Sequence, residues 1–173
     1  VQSQSLLVGE PSPSYNHVLT NEGQPKMTLI RTASWFTPLP ADHVRIGISR
    51  GVPRRTPAGY RVYRKLAPGP WFNSVGVEEY AERYRTEILG PLDPRAVAAD
   101  LASMASGGIA VMLCYERPGR GDWCHRALAA QWLADALGGP VPEVGFEHLP
   151  QHLHPLLPEQ IRRAAASGTA PAG

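Results

Sequence analysis

Residues 109–128 read IAVMLCYERPGRGDWCHRAL: an apolar run, a polar loop and the opening turn of a helix. Ile109 to Cys114 is unbroken in its apolar character and has the length of a strand buried on both faces, as in a parallel sheet covered by helices. Pro118, Gly119 and Gly121 then turn the chain, and Asp122 stands where a helix N-cap would accept hydrogen bonds from free N–H groups. A helix is expected from Trp123 to Leu137, stopped by Gly138-Gly139, with Cys124 and His125 in its first turn. Strand, loop and helix in this order predict an α/β fold, a single three-layer domain whose mixed or mainly parallel sheet is flanked by helices.

The same stretch concentrates reactive side chains. Both cysteines of the chain, Cys114 and Cys124, lie in it, with Glu116, Arg117, Arg120, Asp122, His125 and Arg126 between or beside them. In open α/β sheets the crevice beyond the carboxyl ends of the strands is the usual ligand site, and a helix N-terminus there favours anions. A thiol in that first turn has its pKa lowered, because unpaired N–H groups and the helix dipole stabilise a thiolate. Packing roles compete with this reading. Cys124 shares an apolar stripe with Leu128 and Trp132, Cys114 ends an apolar strand, and Glu116 has Arg117 and Arg126 as ion-pair partners.

Upstream, residues 1–26 mix Ser, Gln, Asn, Pro and Gly without a sustained period and read as a flexible arm. Met27 to Ala33 is a plausible first strand, and Val44, Ile46 and Ile48 alternate with Arg45, Gly47 and Ser49 as a second. Val52 to Leu66, with Pro53, Pro57 and Gly59, reads as a loop or hairpin. Tyr80, Tyr84 and Ile88 recur every four residues in a helix from Val77 to Leu89, the tyrosines facing core or cleft. Asp93-Pro94 opens another, with Val97, Leu101 and Met104 on its buried stripe and Gly107-Gly108 behind it. Val141 to Val144 reads as a short last strand, Pro140 and Pro142 marking an edge or a strand start, which places the α/β domain at 27–148 and a partly disordered extension at 149–173, with a short helix from Pro158 to Ala166.

Charge is unevenly spread. Between His43 and Val77 stand Arg45, Arg50, Arg54, Arg55, Arg61, Arg64 and Lys65 without one acidic residue, although the formal net charge is only +2. Arginine forks bind phosphate or carboxylate bidentately, so this region suggests an anion-binding surface; one basic stripe on a nearly neutral domain argues against nucleic acid. With 43% apolar and 18% charged residues the composition is that of a globular protein. No apolar run has membrane-spanning length and no secretory pattern opens the chain, so a cytoplasmic setting with reduced thiols is expected. There is no internal repeat, P-loop or G-x-G-x-x-G.

Leu113-Cys-Tyr-Glu-Arg-Pro-Gly followed by Trp123-Cys-His-Arg, then Ala130-Gln-Trp-Leu, Gly138-Gly and Val141-Pro-Glu-Val, resembles the bacterial and archaeal domain-of-unknown-function family numbered four hundred and eighty-eight. Ser34-Trp-Phe, Ile46-Gly-Ile-Ser-Arg-Gly-Val-Pro-Arg, Leu66-Ala-Pro, Tyr80, Tyr84 and Leu92-Asp-Pro match as well. The resemblance implies a compact α/β domain with Cys114, Glu116, Cys124, His125 and Arg126 near one another. It supplies no reaction.

Chemistry then gives four readings. In the first, the protein is an enzyme acting on a small anionic, phosphate- or nucleotide-like substrate. Cys124 is its thiolate nucleophile or a thiol-based binding group, His125 its proton carrier, Glu116 an orienter or general base, and Cys114 a further member of the site. Arg126 with Arg50 or Arg54 forms the anion clamp, and Ser49 and Trp35 complete the ligand-binding set. The second reading is a zinc site on Cys114, Cys124 and His125, with Glu116 as a candidate fourth ligand; His148, His152 and His154 are a poorer set, since prolines at 150, 155 and 158 break any helix that would align them. The third is a disulfide switch between the two cysteines. The fourth is a non-catalytic binding protein whose arginine-rich segment docks an acidic partner. No metal ligand is assigned in the leading reading, and no membrane association is expected.

Overall fold

The computed structural model describes residues 29–166; the arm expected at 1–26 and the tail from 167 onward lie outside the described residues. Four strands, β1 (Ile30–Ser34), β2 (His43–Gly47), β3 (Arg61–Val62) and β4 (Ile109–Cys114), form one sheet in the order β1-β4-β2-β3. All three pairings are parallel, so the sheet is of the α/β kind and the apolar run that ends in Cys114 is a central strand. The helices are α1 (Val77–Arg83), continued by a π-helical turn over Tyr84–Leu89, then α2 (Pro94–Ala105), α3 (His125–Leu137) and α4 (Glu159–Ala166).

Alternation along the strands sorts side chains onto two faces. Ile46, Ala110, Met112 and Cys114 meet the helices, among them Tyr84, Leu101, Leu128 and Leu133, in the main core. Ala33, Val111 and Leu113 face the other way and are covered by Trp35, Leu39, Val52, Tyr60 and Val144, none of which is helical. That outer layer is loop because the crossover from β1 to β2 is only residues 35–42, too short for a helix. Its seal depends on Gly47: a Cβ there would stand 2.3 Å from the Trp35 ring, so only glycine lets the indole lie flat on β2.

Three expectations are refined in detail. Of the loop or hairpin expected at 52–66 the structure shows the loop, because β3 runs parallel to β2 and the segment between them is a crossover. Val141–Val144 contributes a single parallel bridge, Thr32 with Glu143, against β1. The helix from Val77 changes to π geometry at Tyr84, where Gly90 N–H reaches back five residues to the Arg85 carbonyl at 2.7 Å. The packed core also runs past residue 148: His154, Leu156 and Leu157 are all buried.

Asp93 caps α2 as its sequence position suggested, its carboxylate accepting from Arg95 N–H at 3.1 Å with Pro94 in the first turn. Among the described residues no helix is long and apolar enough to cross a membrane.

Candidate functional site

The carboxyl end of β4 lies between those of β1 and β2, so Cys114 opens into the crevice beyond the sheet. The Cys114 carbonyl accepts from Trp35 N–H at 2.8 Å and the Leu113 carbonyl from Ile48 N–H at 3.0 Å, which fixes both flanking loops to the strand end. Gly119 and Gly121, at φ 84° and 77°, take the chain back toward the sheet. Asp122 is exposed and caps nothing. The helix begins later, with Cys124 itself as the extended N-cap residue (φ −149°, ψ 142°), because its N–H is held by the Leu156 carbonyl at 2.9 Å. No side chain caps this terminus, so the first-turn N–H groups and the helix dipole act on the cysteine sulfur beside them.

His125 Nδ1 lies 3.9 Å from Cys114 Sγ and 3.8 Å from Cys124 Sγ. On the far side of the ring, Nε2 donates to the Ile48 carbonyl at 3.1 Å. A carbonyl can only accept, so Nε2 carries a proton and Nδ1 is the nitrogen free to take or give one. The ring is also edged by Tyr84, centroids 5.3 Å apart, and Tyr84 donates its hydroxyl to the Leu66 carbonyl at 2.7 Å.

The electrostatics divide the two thiols. Burial pushes Cys124 up, but hydrogen bonding with Cys114 and the charges of His125 and Arg126 outweigh it and hold the thiol well below its ordinary value. Cys114 moves the opposite way: hydrogen bonding with Cys124, burial and the nearby negative charge push it well above. His125 is penalised by burial yet raised overall by the Cys124 charge and the Ile48 carbonyl. Glu116 is raised by burial and by the charge on Cys124. One thiolate, one imidazolium and one neutral thiol form the arrangement these shifts favour.

A cavity of about 590 Å³ opens over this centre. Of the residues singled out from sequence, Cys114, Glu116, Cys124, His125, Ser49 and Arg50 line it. Arg50 is exposed, donates to the Pro68 carbonyl at 2.9 Å and stacks 5.4 Å from the Phe72 ring centroid, on the cavity wall. Ser49 is buried; its hydroxyl accepts from Trp35 Nε1 at 3.0 Å and donates to the Gly51 carbonyl at 2.6 Å. Trp35 therefore reaches the cavity only through Ser49. Arg54 is exposed and stands apart from the cavity wall. The other basic residues disperse: Arg45 donates to the Trp35 and Thr37 carbonyls, Arg64 to the Arg50 carbonyl, and Lys65 pairs with Asp100.

Arg126 is placed differently from an anion clamp. Its guanidinium is fully buried, with Nε and Nη2 on the Glu143 carboxylate at 3.1 and 2.7 Å and Nη2 also on the Glu116 carbonyl at 2.9 Å. Behind it, Thr32 donates to Glu143 Oε2 at 2.6 Å, and His154 Nε2 meets Thr32 Oγ1 at 2.8 Å. Glu143 and Thr32 have no place in the site expected from sequence, and His154 enters there only as a zinc candidate with His148 and His152. A carboxylate between Pro142 and Val144 in an apolar edge segment was the one signal for Glu143.

Cys114, Cys124 and His125 each turn one ligand atom inward, all within 4.8 Å of one another, and could hold a metal ion. Around a tetrahedral zinc with bonds of about 2.0–2.3 Å, neighbouring ligand atoms stand about 3.3–3.8 Å apart, slightly shorter than the two sulfur–nitrogen distances of 3.8 and 3.9 Å. The same proximity leaves both cysteines as free thiols facing each other.

Residues 30–137, more than half of the chain, match the family model DUF488-N3a, described as the Active DUF488-N3 subclade. No curated protein and no solved structure matches the chain. The chain belongs to the DUF488 family, and the matched span holds the whole Cys-His centre while Glu143 and His154 lie beyond it.

Proposed function

We propose that this member of the DUF488-N3 subclade is a thiol-dependent enzyme acting on a small anionic substrate, with Cys124 as its reacting group. The observation that carries this reading is the placement of the Cys124 sulfur at the uncapped start of α3, facing a cavity of about 590 Å³ and in contact with His125 Nδ1. A thiolate there attacks an electrophilic centre of the bound substrate and displaces a leaving group, which carries off the electron pair of the broken bond and takes the proton from His125 Nδ1. Cys114 holds a thiol hydrogen toward the thiolate, and Glu116 on the cavity wall is a second group able to carry a proton. Arg50 at the mouth and the helix N-terminus favour a negatively charged group, while Phe72, Tyr115 and Trp123 offer flat apolar surface of the kind a nucleotide-like ring stacks on. A reducing cytoplasmic setting and a small-molecule partner, not nucleic acid or membrane, belong to the same reading.

The test is site-resolved alkylation of reduced, metal-free protein as a function of pH. Cys124 is expected to react as a thiolate well below the ordinary thiol pKa of about 8.5, with Cys114 slow throughout. An ordinary or raised value for Cys124 would overturn the assignment.

The spacing of Cys114, Cys124 and His125 favours one second reading, in which they hold a soft divalent ion and the cavity supplies its open position. Metal content of untagged protein separates the two. Near one equivalent of zinc, lost on Cys114→Ser replacement, would establish the metal reading; less than about a tenth of an equivalent would exclude it.

A further inference from the structure

Every group behind Arg126 is used in one consistent sense. Leu156 N–H donates to His154 Nδ1 at 3.3 Å, so the ring's proton is on Nε2, which donates to Thr32 Oγ1 at 2.8 Å. Thr32 in turn donates to Glu143 Oε2 at 2.6 Å, and the Glu143 carboxylate receives two N–H groups of Arg126. Arg126 Nη2 then holds the Glu116 carbonyl at 2.9 Å, two residues beyond Cys114. The carbonyl of that same Leu156 accepts Cys124 N–H at 2.9 Å. One residue, Leu156, is thus tied to both sides of the reactive centre, directly to Cys124 through its carbonyl and, through its N–H and a buried relay, to the loop that carries Glu116.

We infer that Thr32, Glu143 and His154 are positioning residues of the active site, a relay that fixes Arg126 and through it the Glu116 loop against Cys124. The inference rests on the thiol-enzyme reading for what the positioned groups do, while the relay itself stands on the hydrogen bonds. Its chemistry explains why neutral and charged groups alternate as they do. The carboxylate neutralises the guanidinium, and the hydroxyl and imidazole fill the remaining acceptor site without adding charge beside the thiolate. A plain buried ion pair would need neither a histidine of fixed tautomer nor a threonine between them. The segment around His154 to Leu157, outside the span matched to the family, is on this view part of the active site and not an appendage.

Thr32→Val removes the hydroxyl and keeps the shape; Thr32→Ser keeps the hydroxyl. Each is compared with the unaltered protein, well below its melting temperature, by two readouts: hydrogen exchange of the Arg126 Nε–H followed by NMR, and the alkylation rate of Cys124. Thr32→Val is expected to speed Arg126 Nε–H exchange and to change Cys124 alkylation about three- to tenfold, the worth of one buried hydrogen bond, with Thr32→Ser restoring both. His154→Gln provides the same test from the other end should Thr32→Val not fold. Unchanged exchange of Arg126 in the folded variants would overturn the relay. Faster exchange with unchanged Cys124 reactivity would show a scaffold that does not position the centre, and would also overturn it. If Cys124 of the unaltered protein reacts as an ordinary thiol, the enzyme reading fails on its own, while Arg126 exchange still reports on the relay.

Discussion

Two buried polar clusters meet at the start of α3, and they differ in what they leave open. Behind the helix, Glu143, Thr32, His154 and Arg126 satisfy one another through hydrogen bonds of 2.6 to 3.1 Å. In front of it, Cys114, Cys124 and His125 touch at 3.8 to 3.9 Å, and Glu116 Oε2 has no hydrogen-bond partner. At the boundary, Arg126 Nη1 lacks a partner and stands 3.9 Å from Glu116 Oε2, beyond hydrogen-bond reach. A saturated network holds position; an unsaturated one facing a cavity has capacity left for a substrate. The comparison predicts that damage to the rear cluster lowers stability and, through the relay, changes reactivity by a modest factor, whereas damage to the front cluster removes reactivity with little loss of stability.

The largest effect is expected from Glu143→Gln, which strands a buried guanidinium. Breaking one partner of such a pair costs about 3–5 kcal/mol, to be measured by urea unfolding. Cys124→Ala at the front should shift stability far less while abolishing the fast alkylation. A Glu143→Gln protein as stable as the unaltered one would break the distinction between the clusters.

Next in size is the pH dependence set by His154. Burial, followed by the charge of Arg126, lowers its pKa to about 3. Its folded value lies below the unfolded value of about 6.5, so between these limits the unfolded chain binds the extra proton and stability rises with pH. On acidification from pH about 6.5 to about 4, His154 alone should remove roughly 3 kcal/mol. His154→Gln should flatten that slope, seen as a smaller change in urea midpoint across the window; an unaltered slope would mean that another group carries the acid sensitivity.

Gly47→Ala probes the outer face of the sheet, away from both clusters. The added methyl collides with the Trp35 ring, and overpacking of this kind costs about 1–3 kcal/mol. Because Trp35 holds Ser49 at 3.0 Å, the same change should disturb the cavity wall. Stability and ligand binding are therefore expected to fall together here, whereas changes in the front cluster separate them.

The difference between the clusters also explains what could be read in advance. An apolar run closed by a glycine-rich loop and a helix is local information, and it was enough to place Cys114, Cys124, His125 and Glu116 in one crevice. The family resemblance, on the same motif, agreed with the match over residues 30–137. Contacts from far along the chain were not legible. Asp122 has the composition of a cap, yet the Leu156 carbonyl moves the helix start to Cys124. Arg126 beside a Cys-His pair suggests an anion clamp, yet Glu143 occupies its guanidinium. The proline- and glycine-rich segment from Val52 to Leu66 leaves a loop and a hairpin both open, because parallel pairing of β3 with β2 is a non-local property that turn residues do not reveal.

With Arg126 neutralised and Arg54 apart from the cavity, Arg50 is the arginine left on its wall. It is exposed and holds a neutral carbonyl, so its charge remains uncompensated by any carboxylate hydrogen bond among the described residues. Arg50→Gln should change stability by less than about 0.5 kcal/mol, as exposed substitutions do. Its effect belongs to binding: protection of Cys124 from alkylation by inorganic phosphate or a nucleoside monophosphate should weaken about tenfold, the scale of one charge-assisted hydrogen bond. Lost protection with unchanged stability would make Arg50 the front-cluster counterpart of Arg126, the same side chain serving a ligand where Arg126 serves the fold. Equal protection in both proteins would remove the anion from the cavity mouth and leave the helix N-terminus as the element to test.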